Sequence, residues 1–164
     1  MDVPSEKPEA WVGRQRTVCD ALDPARARAM EAALDRSPTL QAGDPLPPAW
    51  HWLYFWDPAP AGSLGVDGHP ALGDFLPPLD LSRRMWACGR LTFHRALMLG
   101  TDATKTSTVT AVQEKQGRSG RLVFVTVRHE IADARGPAWV EEQDLVYRGQ
   151  SARPGTPPTA PSGG

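Results

Sequence analysis

The chain of 164 residues lacks several features that would place it in a specialised class. Its basic and acidic residues nearly cancel, 18 against 19, so no net field attracts nucleic acid or an anionic membrane. No apolar run approaches the roughly 20 residues that a membrane-spanning helix needs. The first residues also lack a basic region followed by an apolar run. We therefore expect a cytoplasmic protein with neither nucleic acid nor a membrane as partner.

Cysteine and histidine are also scarce. Cys19 and Cys88 are far apart in a chain without a secretion signal, so we expect free thiols and no disulfide framework. We expect no metal site and no cofactor. Among the four histidines, His51, His94 and His129 lie within aromatic or strand-like patterns, which favours packed or surface groups.

The length suits a single domain with a real core. We expect order over residues 11–149, preceded by a flexible N-terminus, residues 1–10. Residues 150–164 are rich in proline, glycine and serine and have few side chains that could stabilise an ordered conformation. They are predicted to form a disordered tail.

Residues 23–37 carry the clearest helical pattern. Asp23 can cap the free amides and Pro24 suits the first helical position. Apolar residues recur at spacings of three and four and predict a narrow buried face. They are Leu22, Ala25, Ala29, Met30, Ala33 and Leu34.

The period changes from helical to strand-like after residue 100. Residues 104–115, 121–131 and 138–148 are predicted strands, the first two joined by a hairpin at the glycines of residues 116–120. The apolar residues of 121–131 alternate in a way that predicts burial of both strand faces. An acidic run in the last strand is predicted to be its exposed margin, because no histidine is spaced to complete a metal site. The run is Glu141, Glu142 and Asp144.

Prolines, glycines and three tryptophans fill residues 43–80. Prolines limit regular structure, so tertiary packing must organise these aromatic side chains. The alternation over residues 50–55 predicts one short strand. So dense an aromatic group is either core or the wall of a pocket.

Residues 47–100, 115–131 and 141–148 together resemble the N-terminal half of the MaoC-like double-hotdog hydratases. Within that group they are most similar to mesaconyl-C4-CoA and itaconyl-CoA hydratases and to type 2 3-hydroxyacyl-thioester dehydratases. The resemblance implies an α+β hotdog fold, in which an antiparallel sheet wraps around a helix. In that family the catalytic aspartate and histidine belong to the second hotdog half, which is absent from these 164 residues.

The resemblance therefore implies a non-catalytic, pocket-completing subunit of an enoyl-CoA hydratase or 3-hydroxyacyl dehydratase. The substrate would be an acyl-CoA thioester, with a branched C5 dicarboxylic acyl group as one candidate. The partner would be a catalytic MaoC-like hotdog subunit, or a second copy of the chain in a homodimer. An acyl-CoA-binding or regulatory module without turnover is the alternative from another class, and a hotdog thioesterase is a further one.

The implied substrate-binding residues lie in two short stretches. Adjacent arginines could meet CoA phosphates or a substrate carboxylate, with aromatic and apolar neighbours lining the acyl channel. Neighbouring strand residues point to opposite faces, so at most one arginine should reach the ligand, and a surface ion pair remains open for both. The predicted set is Trp52, Tyr54, Arg83, Arg84, Met85 and Trp86.

Asp67 and His69 form an alternative catalytic pair. Hydration of an enoyl thioester needs a base to activate water, an acid for the α-carbon and donors for the thioester oxygen. Residues two apart on a turn can share one water molecule, but Asp-Gly followed by His-Pro also favours a purely structural turn. The main hypothesis expects no catalytic residue in this chain.

Overall fold

The computed structural model describes residues 7–65, 67–117 and 120–149. These ranges contain β1 (Gln15–Asp20), α1 (Pro24–Ala33), β2 (Arg83–Phe93), β3 (Ala103–Gly117), β4 (Gly120–Asp133) and β5 (Gly136–Arg148). Short 3-10 helices occupy Pro8–Trp11, Trp50–Leu53 and Ala61–Ser63. The predicted tail and residues 1–6 of the predicted flexible N-terminus lie outside the described residues. Within the described ranges, every helix is too short or too polar to cross a bilayer.

The five strands form one antiparallel sheet in the order β1-β3-β4-β5-β2. The α+β class, the three predicted strands and the hairpin between β3 and β4 are confirmed. Gly136, at the turn between β4 and β5, has a φ of 102°, which glycine adopts without steric cost. β2 is an edge strand, because β5 is its one neighbour in the sheet order.

One face of the sheet, called the inner face below, carries the hydrophobic core in two clusters. The first joins Ile131 of β4 and Trp139 of β5 to residues of α1 and of the loop after it. The second joins the valines of β4 and Leu145 of β5 to the segment 72–81. The valine alternation is confirmed on this face, where Val125 is fully buried. The opposite face of β4 is only half-buried, so the prediction that both faces are covered holds for one of them within this chain.

A row of five polar side chains runs across the inner face, between the two clusters. We call them the polar strip, and they are Lys105, Ser107, His129, Glu141 and Gln143. Ser107 pairs with His129 across β3 and β4, and His129 pairs with Glu141 across β4 and β5. Residues directly opposite each other on antiparallel strands share a face. Polar groups are costly to bury without hydrogen-bond partners. The strip therefore interrupts the apolar core and is the first place to look for a functional site.

Helix α1 begins as predicted but buries a different face. Asp23 caps it by accepting a hydrogen bond, 2.8 Å long, from the backbone amide two residues on. The buried helical residues are Ala27 and Glu31, whereas Leu34 of the predicted apolar stripe is 51% exposed. Glu31 turns inward because its carboxylate accepts hydrogen bonds from the amides of residues 39 and 40. The helix therefore packs against the following loop through a narrow face that hydropathy alone did not identify.

The prediction of a strand over residues 50–55 is wrong. Trp50–Leu53 forms a 3-10 helix, and the Trp50 amide donates to the carbonyl of Pro47. Ala49 and Phe55 on either side have φ values of 68° and 58°. These left-handed conformations are incompatible with an extended strand. The aromatic side chains are therefore distributed by a tight turn and not by strand alternation.

Candidate functional site

Glu141 lies at the centre of the polar strip and is buried, so its prediction as part of an exposed strand margin is wrong. Its carboxylate accepts a hydrogen bond from Trp52 Nε1 at 3.2 Å and lies 3.0 Å from His51 Nε2. Burial acts to raise the pKa of Glu141, but hydrogen bonds from His51 and Trp52 outweigh it and hold that pKa below its ordinary value. The carboxylate is therefore ionised at neutral pH.

His51 closes off one side of this carboxylate. Its ring is 2% exposed and packs edge-on against Trp139, with 5.1 Å between ring centroids. Within the described residues, its Nδ1 is buried without a hydrogen-bond partner. Because Nε2 faces Glu141 and Nδ1 is enclosed, neither nitrogen is presented to a bound molecule. Of the two roles predicted for His51, a packed or a surface group, the structure shows the packed one.

A cavity of about 290 Å³ lies over the polar strip. Trp52, Trp56 and Trp86 form one wall and are 51%, 63% and 51% exposed. Trp52 and Trp86 meet edge to face, with 5.7 Å between ring centroids. The floor contains the half-buried members of the polar strip. The cavity thus joins an aromatic wall to a polar floor, the usual composition of a site for a small organic ligand.

Two titratable side chains in the floor are only half-buried and border the cavity directly. Burial lowers the pKa of His129 and outweighs the opposing attraction of Glu141, so its imidazole is neutral at pH 7. His129 Nδ1 lies 2.7 Å from Ser107 Oγ, which fixes the ring plane. Burial also lowers the pKa of Lys105, although Glu141 opposes the shift. The floor therefore presents a neutral imidazole beside an amine whose charge is incompletely solvated.

Asp67 and His69 lie elsewhere, in an exposed turn. His69 Nδ1 is 3.5 Å from Asp67 Oδ2, and the His69 amide donates to Asp67 Oδ1 at 3.2 Å. Gly68 between them has a φ of 75°, as a tight turn requires. His69 borders a second cavity of about 160 Å³ together with Arg84 and Phe75. The structure keeps the predicted pair together, but His69 borders a different cavity from the one over the polar strip.

β2 separates the other predicted binding residues onto two faces. Trp86 borders the first cavity and Arg84 the second. Arg83 and Met85 alternate with them and project from the opposite face, so one of the two arginines borders a cavity. Tyr54 lines the first cavity, but it is buried and its hydroxyl donates to the backbone carbonyl at the α1 cap. The structure thus brings together the aromatic part of the predicted set and not its charged part.

Sequence reasoning missed Lys105, Glu141 and Gln143 as members of a site. Strand parity in β5 was not a sufficient signal, because buried apolar residues occur on both parities, with Trp139 and Leu145 on one and Val140 and Val146 on the other. The contact with His51 has no sequence signal, since the two residues are 90 positions apart. Within residues 7–65, 67–117 and 120–149 there is no cluster of side chains that could hold a metal ion.

The sequence matches the family model of hydroxyacyl-thioester dehydratase type 2 over residues 49–162. Mesaconyl-C(4)-CoA hydratase of Chloroflexus aurantiacus is 43% identical over 154 residues, which cover 93% of this chain and 54% of that protein. The chain therefore spans about half the length of the curated relative that it matches.

Two solved structures share the fold. A chain of the ChsH1-ChsH2 complex from Mycobacterium tuberculosis superposes with a TM-score of 0.60 at 16% identity, over 90% of both chains. A hot-dog-like protein from Thermanaerovibrio acidaminovorans gives a TM-score of 0.51 at 18% identity, over 85% of this chain and 84% of that one. Similarity at such low identity concerns architecture alone, and it confirms the hotdog fold that the sequence resemblance implies.

Proposed function

Because the chain belongs to the hydroxyacyl-thioester dehydratase type 2 family, we propose that it is the pocket-completing hotdog part of an enoyl-thioester hydratase or dehydratase. The observation that carries the proposal is the incomplete cavity over the polar strip. Three tryptophans of its wall are at least half exposed, which a finished acyl pocket would not leave in water. A second hotdog chain laid against this wall would close the cavity.

The catalytic acid and base are assigned to the partner. Water addition needs two groups that reach the same water molecule beside the thioester. The His51–Glu141 pair offers no accessible nitrogen, and the Asp67–His69 turn is exposed and borders a separate cavity. The chain spans about half of a hydratase relative, which agrees with a division of labour between two halves.

The edge strand β2 is the proposed contact with the partner. It is 11 residues long and carries several exposed apolar side chains, which a protected edge would avoid. Met85, Leu91 and Phe93 are 41%, 36% and 43% exposed. A second sheet can add to the free edge and cover these side chains, either in a homodimer or with a catalytic MaoC-like chain.

The proposed substrate is a CoA thioester of a branched C5 dicarboxylic acid. Support comes from the 43% identity to mesaconyl-C(4)-CoA hydratase across nearly all of this chain. The cavity of about 290 Å³ has room for a five-carbon acyl group.

The test is reconstitution. The full chain, a catalytic MaoC-like chain and the mixture of both are each given mesaconyl-C(4)-CoA, and loss of the enoyl-thioester absorbance is followed. We expect turnover by the mixture and none by this chain alone. Turnover by this chain alone, abolished in His69→Asn, would show that the Asp67–His69 turn is catalytic. Binding of acyl-CoA without turnover in any mixture would instead support the regulatory module.

A further inference from the structure

Lys105 is a half-buried cation of the sheet without a close counter-ion among the described residues, whereas three arginines of the sheet have one. Arg16 on β1, Arg90 on β2 and Arg121 on β4 each contact a carboxylate within 4 Å. In the part of the chain that the structure describes, no carboxylate lies within 4 Å of Lys105 Nζ. Instead, Nζ lies 5.7 Å from the ring centroid of Phe55.

The position of Lys105 on the sheet is one that normally carries an apolar side chain. Its cross-strand partner is Ile131, which is fully buried, and the next residue across is Trp139, 2% exposed. A lysine in this row loses hydration on the inner face, and burial accordingly lowers its pKa. An ammonium group in such surroundings is stabilised strongly by any anion that contacts it directly.

The described part of the chain does not supply this anion. The carboxylate oxygens of Glu141 already accept from Trp52 and lie against His51, and the carboxylate is beyond 4 Å from Nζ. Asp57 attracts Lys105 only at long range and forms its close ion pair with Arg16, at 2.7 Å. Both local acidic groups are therefore committed to other partners.

We propose that Lys105 binds the free carboxylate of a dicarboxylic acyl group, and that this contact makes the cavity selective for dicarboxylic over monocarboxylic acyl thioesters. Lys105 lines the same cavity as the three tryptophans, so an acyl group bound against the tryptophans has Nζ within the same cavity for a terminal carboxylate. Glu141 repels a carboxylate placed nearer to β5, which restricts the anion to the Lys105 side. The inference rests on the proposed function for its acyl substrate, but carboxylate binding by Lys105 can be tested without turnover.

The first arm compares two substrates in the reconstituted enzyme. Mesaconyl-C(4)-CoA carries the carboxylate, and 3-methylcrotonyl-CoA has a methyl group in its place. Lys105→Met removes the charge while keeping the length, and Lys105→Arg keeps the charge. We expect Lys105→Met to raise KM for the dicarboxylic substrate about 10-fold or more, the scale of a charge-assisted hydrogen bond, with little change for the neutral substrate. Lys105→Arg should recover much of the loss.

Lys115→Met is the matched control. Lys115 Nζ also lies over an aromatic ring, 5.0 Å from the centroid of Phe124, but this ring borders a different cavity. Lys115→Met should leave the preference between the two substrates unchanged. Equal effects of Lys105→Met on both substrates, or none on either, would overturn the inference.

The second arm separates this inference from the proposed function. Free mesaconate is titrated into the full chain alone, and tryptophan fluorescence is followed because three tryptophans wall the cavity. We expect saturable quenching that Lys105→Met abolishes and Lys105→Arg retains. If the reconstituted enzyme shows no turnover, the proposed function fails and this titration decides the inference. Absent quenching, or quenching that is the same in Lys105→Met, would overturn it.

Discussion

Replacing Glu141 by alanine should destabilise the fold more than any other single change at an acidic residue of β5. The substitution removes the acceptor of the Trp52 indole and the partner of His51 Nε2. His51 is 2% exposed and its other nitrogen already has no partner among the described residues, so the variant would bury an imidazole without any hydrogen bond. Each buried donor left unpaired costs about 1–3 kcal/mol.

Trp52 is half exposed and can turn to water, so most of the cost falls on His51. We therefore expect Glu141→Ala to lower the free energy of unfolding by about 3 kcal/mol. Glu141→Gln keeps an acceptor and should cost about 1 kcal/mol. Urea denaturation followed by circular dichroism measures both values.

Glu142→Ala is the control for this prediction. Glu142 is the next residue on β5 and projects from the opposite face, where it pairs with Arg90 at 2.9 Å in a solvent-exposed salt bridge. Such pairs contribute about 0–1 kcal/mol. If Glu141→Ala cost no more than Glu142→Ala, the buried network would contribute nothing measurable and the reasoning would be refuted.

The pH dependence gives a second check on the same residue. The folded-state pKa of Glu141 is depressed, so its ionised form stabilises the protein above the unfolded pKa of about 4.3. This contribution is lost as the pH falls from that value through the lower folded pKa. The stability difference between the wild-type chain and Glu141→Gln should therefore be constant near neutrality and shrink in acid. A difference that grows as the pH falls would contradict the depressed pKa.

Three further predictions concern assembly and the second cavity. The open β2 edge predicts a homodimer, or a heterodimer with a catalytic chain, and light scattering that shows a monomer at micromolar concentration would count against it. The double substitution of Asp67 and His69 by Asn should leave kcat of the reconstituted enzyme nearly unchanged, whereas a loss of at least ~100-fold would identify them as proton-transfer groups. Arg84→Ala should raise KM for an acyl-CoA with kcat retained, because Arg84 borders a cavity. Arg83 lies on the other face of β2, so Arg83→Ala should leave KM unchanged, and equal effects of the two substitutions would refute this placement.

Local patterns were sufficient wherever a single strand or helix end decides the structure. The valines of β4 alternate at every second residue, so one face had to be buried whatever surrounds it. The Asp23-Pro24 pair specifies a helix start from the covalent properties of two residues. The turn at Asp67 and His69 follows from glycine and proline in the same way.

Local sequence patterns failed to predict the structure where residues distant in sequence supply the contacts. Glu31 is buried in α1 because two loop amides bind it, and a hydropathy count places a glutamate on the outside. Residues 50–55 alternate like a strand, yet the positive φ values at Ala49 and Phe55 make a tight turn. In both cases hydrogen bonding and packing by the rest of the chain outweigh the local preference.

By itself the sequence determined the secondary structure of the meander, the start of the helix and, through family resemblance, the hotdog fold. Only the tertiary structure decided the site. The sheet places β3, β4 and β5 side by side, which brings Lys105, His129 and Glu141 into one strip. The loop folded over that strip then brings His51 against Glu141 from 90 positions away. Strand alternation can say which way a side chain points, but which residue meets it there depends on register and loop packing across the whole chain.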